Sequence, residues 1–370
     1  MSAECPALAP ADTERFMAKR ILSGVQPSGK LHLGNYFGAI RQHIALQDEG
    51  ECFYFIADYH ALTTLKDAEE KEIKDAHDSS GKLKPRKASA ILRDNVRDVA
   101  LDYLALGLDP AKAAFFRQSD VPEVTELAWI LSTVTGMGLL ERAHSFKDKT
   151  DRGIAPSVGL FTYPVLMAAD ILIYRSNVVP VGKDQVQHLE MTRDMAGYFN
   201  RAFGVDVFPM PAERLDAVPS VKGVDGQKMS KSYGNTIDIF AEGNALKKTV
   251  MAIKTDSTPV ESPKDATACN VAALYGLFAD DAEEAKLASL YANPLEDADA
   301  RQGRPFGYGD AKKMLLEKIN ATFGPFRDKR KELAARPDYV EQMLADGAKR
   351  ARAEARKTMD LVRRATGLSG

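Results

Sequence analysis

Lys228-Met229-Ser230-Lys231-Ser232 places two ammonium groups and two hydroxyls within five residues, with Gly223, Gly226 and Gly234 close by. Each lysine is a compact charge on a flexible stem, suited to an anion that moves as it reacts. A phosphate is the ligand such a loop fits; an ordinary solvated loop is the alternative, and the five residues alone leave both open. A second chemical feature lies in the apolar run Phe161–Tyr174. There Tyr163, Met167 and Asp170 fall at i, i+4 and i+7, along one stripe of a helix. The neighbours of Asp170 on that face are Leu166, Met167, Ile173 and Tyr174, so its carboxylate needs a donor. A nearby protein donor is the common solution and a ligand N–H is the other.

These groups need a scaffold, and the chain supplies strand-to-helix turns. Arg20–Val25 reads as a short strand running into Gln26-Pro27-Ser28-Gly29-Lys30-Leu31-His32-Leu33-Gly34-Asn35. Phe37, Ile40 and Ile44 then recur at helical spacing, so a helix begins near Gly34. Unpaired N–H groups at such a helix start form an anion site, although most turns of this kind are only connections. Its glycines match neither the dinucleotide fingerprint nor the P-loop. Cys52–Ala57 reads as a buried parallel strand, with Asp58-Tyr59-His60 at its carboxyl end. Asn177–Val181 reads as another strand, and Gly182-Lys183-Asp184-Gln185 opens the next helix, with Asp184 as its cap. Residues 66–87 are polar and read as a loop or lid. Pro164 fits the first turn of the apolar helix.

Strand–helix alternation over the first two-thirds predicts an α/β fold with a parallel sheet. A length of 370 residues predicts two domains. Residues 1–19 read as an extension and 20–240 as the α/β domain, while 241–370, poor in strand-like runs, read as an all-helical domain. From Ala311 onward there are fifteen Lys and Arg against eight Asp and Glu. That excess is first a solvated helix face, and a phosphate backbone is the sharper possibility. The net charge of −2 advertises no general polyanion partner such as DNA, although a local patch suffices for nucleic acid. The three cysteines are widely spaced, which argues against disulfides or zinc and suits a reducing cytoplasm. No apolar run is long enough for a membrane span.

Gln26-Pro27-Ser28-Gly29 followed by His32-Leu33-Gly34-Asn35 resembles the first signature of class I aminoacyl-tRNA synthetases, and Lys228–Ser232 is identical to the second. Tyr163–Tyr174 and Val179-Pro180-Val181-Gly182-Lys183-Asp184-Gln185 look specifically like the bacterial tryptophanyl family. The resemblance runs from Arg20 to about Tyr308. It implies a Rossmann-like catalytic domain, a helical anticodon-binding domain and a homodimer. It also implies activation of tryptophan with ATP and magnesium to an adenylate, then transfer to tRNA(Trp).

Carried onto this chain, the resemblance assigns Gln26, Pro27, Ser28, Gly34 and Asn35 to ATP. Gly182, Lys183, Asp184 and Val218 follow on the nucleotide. Lys228, Met229, Ser230, Lys231 and Ser232 hold the phosphates. The tryptophan pocket is Tyr163, Met167, Asp170, Val179, Val181, Gln185 and His60, and Lys147 also matches a catalytic position. Leu22 stands where the family often carries an aromatic residue, and residues 66–87 exceed the usual length. A tyrosyl enzyme and a catalytically degenerate tRNA-binding paralogue are the competing readings. Asp170 among apolar neighbours disfavours the first, and the intact signature loops disfavour the second.

Overall fold

A computed structural model describes residues 19–78, 86–143, 146, 157–182, 185–215 and 220–368. Lys147, Lys183, Asp184 and Val218 lie outside the described residues, as does the expected extension 1–18. The chain falls into two compact units. One is drawn from 1–29, 42–216 and 337–370, and the other from 30–41 and 217–336.

The first unit is built on a five-stranded, all-parallel sheet. Its strands are β1 (Arg20–Val25), β2 (Glu51–Ile56), β3 (Ala113–Arg117), β4 (Val178–Val181) and β5 (Ala212–Leu215), in the order β3-β2-β1-β4-β5. Ile21 is paired with Cys52 on one side and Val178 on the other. The strand order reverses at β1, which makes the carboxyl ends of β1 and β4 the switch point where ligands of open α/β sheets bind. The inner strand β2 and its neighbour β3 carry apolar, buried runs, as strands covered on both faces do, whereas the edge strand β5 is largely exposed. Phe53, Phe55, Phe116, Val179 and Leu22 share one core with Val165, Ala169 and Leu172 of a crossover helix.

Among the helices of this unit are α1 (Arg41–Leu46), α2 (Asp58–Ala61), α3 (Leu65–Asp78), α4 (Ala88–Ala105), α5 (Glu123–Val134), α6 (Val158–Ile173) and α7 (Val186–Phe203). Most of the polar stretch expected as a loop is therefore helical. Its Lys, Glu and Ala content favours helix, and the Arg86 guanidinium pairs with Glu72 of α3 and Asp94 of α4. In α6 the helix starts well before Pro164, which sits in its interior rather than in its first turn. Ser157 caps it, its Oγ accepting from Leu160 N at 3.2 Å, so the helix is already nucleated when it reaches the proline. The proline removes one helical N–H, and packing carries the helix past it.

The second unit contains the start of the first-signature helix, a short α-turn Leu33–Asn35 continued by a π-turn Tyr36–Ile40. It also contains α8 (Gly243–Met251), α9 (Asn270–Tyr275), α10 (Asp281–Ala292) and α11 (Tyr308–Ala334). Edge-on aromatic contacts among Tyr36, Phe37, Phe278 and Phe323 knit the early turn to the later helices.

A single cut at residue 240 does not coincide with this division. The last helix, α12 (Pro337–Thr366), belongs to the sheet-bearing unit. Ala348, Ala351, Ala355, Met359 and Val362 recur at helical spacing, and the core of the sheet accepts that stripe. Much of its basic charge is already paired. Arg352 and Arg356 share Glu123, and Arg363 is paired with Glu126. No described helix is long and apolar enough to cross a membrane.

Candidate functional site

In the sheet-bearing unit the candidate residues follow directly from the carboxyl ends of four strands. Gln26, Pro27 and Ser28 leave β1, with Ser28 N donating to Gln26 O at 2.8 Å. Gly29 turns with φ +91°, a conformation that favours glycine. Asp58, Tyr59 and His60 leave β2. Gln118 leaves β3, and Gly182 leaves β4 exposed to solvent.

Asp170 is 3% exposed and is not left without donors. His60 Nε2 lies 2.8 Å from Oδ2, and Gln118 Nε2 donates to Oδ1 at 2.8 Å and to Oδ2 at 2.9 Å. Burial pushes the carboxyl above its usual range, while His60 and then Gln118 pull it back down. The Tyr163 ring meets His60 edge-on at 6.4 Å, and its hydroxyl is hydrogen-bonded to the buried His188. Met167, Val181 and Gln185 are half-buried, whereas Val179 is a core residue at 3% exposed. Tyr163, Met167 and Asp170 thus share the stripe that helical spacing predicts, and His60 joins them from α2.

Asp58 acts as a brace beside them. Its Oδ1 accepts from Tyr59 N and Ser119 N, both at 3.0 Å, and Oδ2 accepts from the Ser119 hydroxyl. It ties the end of β2 to the end of β3. Gln118 and His188 were not legible as site residues, because nothing local marks a lone glutamine or histidine as a partner of a residue far along the chain.

In the second unit the first signature is hydrogen-bonded to the segment 229–239, two hundred residues on in sequence, once to the second signature itself. Leu33 N donates to Ile237 O at 3.0 Å, Ile239 N to Leu31 O at 3.2 Å, and Gly34 N to Met229 Sδ at 3.4 Å. Two N–H groups of the helix start are consequently used inside the protein and do not stand open to an anion, contrary to expectation. Asn35 also turns inward, its Oδ1 accepting from His32 N at 3.1 Å. A Cβ on Gly34 would lie 3.0 Å from His32 Nδ1 and 3.4 Å from the Met229 Cβ, so glycine is what lets the two stretches close. Burial first, and the Lys231 ammonium second, lower His32 to about 4, against a smaller opposing pull from Asp238. The imidazole is therefore neutral at pH 7.

The lysine loop is shaped by a residue that sequence reasoning missed. Asn235, 1% exposed, accepts from Ser230 N at 2.8 Å and donates to Lys228 O at 3.1 Å and Asp225 Oδ1 at 2.8 Å. Gly223 makes room for that side chain, since a Cβ there would sit 2.3 Å from Asn235 Nδ2. Ser230 caps the turn Lys231–Tyr233 by accepting from Ser232 N at 3.3 Å. Met229 is buried and anchors the loop, while Lys228 and Ser232 are exposed and Lys231 half-buried. The loop therefore carries one exposed and one half-buried lysine on a fixed backbone, suited to a polyphosphate.

A family profile described as tRNA synthetases class I (W and Y) matches residues 17–80 and 72–324. The tryptophan–tRNA ligase of Rhodopirellula baltica is 52% identical over 350 residues, covering 94% of this chain and 99% of that protein. The corresponding ligase of Fusobacterium nucleatum is 50% identical over 355 residues, covering 95% and 99%. Among solved structures, the tryptophanyl-tRNA synthetase of Campylobacter jejuni complexed with ADP and tryptophan superposes with a TM-score of 0.81. It is 44% identical and covers 94% of this chain and 99% of that one.

Proposed function

This chain belongs to the class I tRNA synthetases for tryptophan and tyrosine, and from that premise we infer how its residues carry out the reaction of a tryptophan–tRNA ligase. The observation that carries the choice of amino acid is Asp170, an acceptor on an apolar stripe in the sheet-bearing unit. An indole N–H is donor-only and suits a buried carboxylate that shares its helix face with Tyr163 and Met167. Tyrosine also offers a donor, but carries it on a smaller ring.

In the first step a tryptophan carboxylate oxygen attacks the α-phosphorus of ATP. The bond to the bridging oxygen breaks, and pyrophosphate leaves with the electron pair. Such a displacement needs positioned reactants and cations where charge grows, more than an acid–base pair. Lys228 and Lys231 supply the cations, with Ser230 and Ser232 as hydroxyl partners. Gln26, Pro27, Ser28 and Gly182 are assigned to the nucleotide, and Gly34 and Asn35 to the fold of the first signature itself. Magnesium comes with the nucleotide, since this ion is typically bound through substrate phosphates and keeps several waters. In the second step a terminal ribose hydroxyl of tRNA(Trp) attacks the acyl carbon and AMP leaves.

The helical segment 241–336 is proposed to receive the anticodon arm. A homodimer is proposed as the working form. Trp129 (73% exposed) and Val158 (78%) are large apolar side chains standing in solvent on α5 and α6, two helices that pack against each other. A partner surface that covered both would remove them from water.

Amino-acid-dependent ATP–pyrophosphate exchange, run with tryptophan and tyrosine in parallel, tests the reading. Exchange with tryptophan well above tyrosine is expected. A preference for tyrosine would overturn the amino-acid assignment, and no exchange with either would favour a degenerate paralogue.

A further inference from the structure

We infer that Gln118 is a positioning residue for amino-acid selection: its side-chain amide holds Asp170 as an oriented acceptor and directs the incoming indole N–H to Oδ1. The inference rests on Asp170 being the indole acceptor, and it concerns what makes Asp170 fit for that task.

The orientation of the Gln118 amide is fixed by partners of opposite character. Oε1 accepts from Tyr59 N at 3.1 Å, which leaves Nε2 as the end facing the carboxylate. The flipped amide would set its NH2 against the Tyr59 N–H and its carbonyl against the anion, so only one orientation satisfies both sides. Nε2 reaches Oδ1 at 2.8 Å and Oδ2 at 2.9 Å. Bonding both oxygens fixes the carboxylate plane as well as its position. The side chain is 2% exposed, so water does not offer a ready replacement.

An ionised carboxylate offers about four lone-pair sites. Two are used on Oδ2, by Gln118 and by His60 at 2.8 Å, and one on Oδ1 by Gln118. Among the described residues, the site left for another donor is on Oδ1. Without Gln118 the carboxylate would keep only its His60 bond, would rotate about Cβ–Cγ, and would be a poorer anion in its buried position. With glutamate at 118 the Tyr59 bond is retained while a second acidic group faces Asp170. The two would then share a proton, and the acceptor would be compromised.

The test is ATP–pyrophosphate exchange on the parent, Gln118→Glu and Gln118→Met, with thermal melting of each. Glutamate removes only the donor half of the amide, and methionine keeps the shape without either polar end. The expected result is a KM for tryptophan raised about tenfold or more in both variants. The KM for ATP should stay within about twofold, and kcat at saturating tryptophan should fall less than KM rises. Folded variants with a parental tryptophan KM would overturn the inference, as would equal losses in the tryptophan and ATP constants. Failure of both variants to fold would also overturn it, placing Gln118 in the scaffold. A parent that prefers tyrosine would instead show that the underlying assignment of Asp170 had failed.

Discussion

Gly347 of α12 lies directly on the backbone of β3: a Cβ at that position would stand 1.9 Å from the carbonyl oxygen of Phe115. No rotamer change relieves such a contact, because both partners are main chain. Helix and strand would have to separate. Gly347→Ala is therefore expected to destabilise the sheet-bearing unit by ~1–3 kcal/mol or more, the usual range for an overpacked core. Thermal or urea unfolding measures it, and an unchanged midpoint would contradict the packing. Because β3 leads into Gln118, a loss of tryptophan affinity in this variant is also expected to accompany the loss of stability.

Lys231→Ala should lower the rate of adenylate formation far more than it weakens tryptophan binding. The lysine meets charge that grows on the leaving pyrophosphate, so its contribution is larger in the transition state than in the ground state. Single-turnover measurement of adenylate formation, beside equilibrium binding of tryptophan, separates the two. A parental rate would remove this loop from the mechanism.

Asp170→Ala should abolish most of the preference for tryptophan over tyrosine. Sites built to hydrogen-bond a substrate donor discriminate by roughly 10⁴–10⁵ against an analogue that lacks it, so phenylalanine is the companion probe. Exchange assays with all three amino acids would decide the role, and unchanged selectivity in the mutant would exclude it.

Acid should begin to destabilise the protein while the pH is still well above the ordinary carboxylate range. His43 is buried between Ser23, 2.9 Å from Nε2, and Tyr103, 3.3 Å from Nδ1, and burial lowers it to about 4. The unfolded chain takes up a proton near pH 6.5 while the folded one resists until about 4, so stability falls as pH drops through that window. The loss at its lower end is on the order of 3 kcal/mol for this histidine. Urea unfolding between pH 7 and 4 would show the slope, and His43→Gln should reduce it, leaving the part that His32 contributes.

Arg363→Glu should lower the melting temperature modestly, without a selective effect on tRNA. The guanidinium bonds the Glu126 carboxylate at 2.8 and 2.6 Å, and partly exposed pairs of this kind contribute up to about 1 kcal/mol. Comparing aminoacylation with exchange in this variant would expose any tRNA role. The basic excess after Ala311 is a poor guide to a nucleic-acid surface where its members are already paired within the protein.

The parts of the fold that were legible in sequence are those with local signals. Continuous apolar strands, strand-to-helix turns and the stripe of Tyr163, Met167 and Asp170 all depend on neighbours a few residues away. Gln118 and Asn235 carry no such signal, because their importance lies in hydrogen bonds to main chain and to groups that only folding brings near. The helix at 65–78 was obscured because polar composition reads equally as loop and as a solvated helix. At the first helix start the sequence left an anion site and a plain connection both open, since the use of its N–H groups by Ile237 and Met229 is a tertiary event. A stripe of alanines on α12 marks a buried face but does not say which core receives it.

The route of the chain between its two units also constrains how the protein is made. The sheet-bearing unit takes both early and late segments, and α12 covers β3 only after the intervening helices have been synthesised. On the ribosome, β1, β2 and β3 would emerge and pair while the helix that seals one face is still untranslated. Domains usually mature from the N-terminus as they appear; here that face stays bare until α12 has been made. A stop codon shortly before Pro337 would leave Phe115 and its neighbours uncovered, a nascent product marked for chaperones or proteolysis.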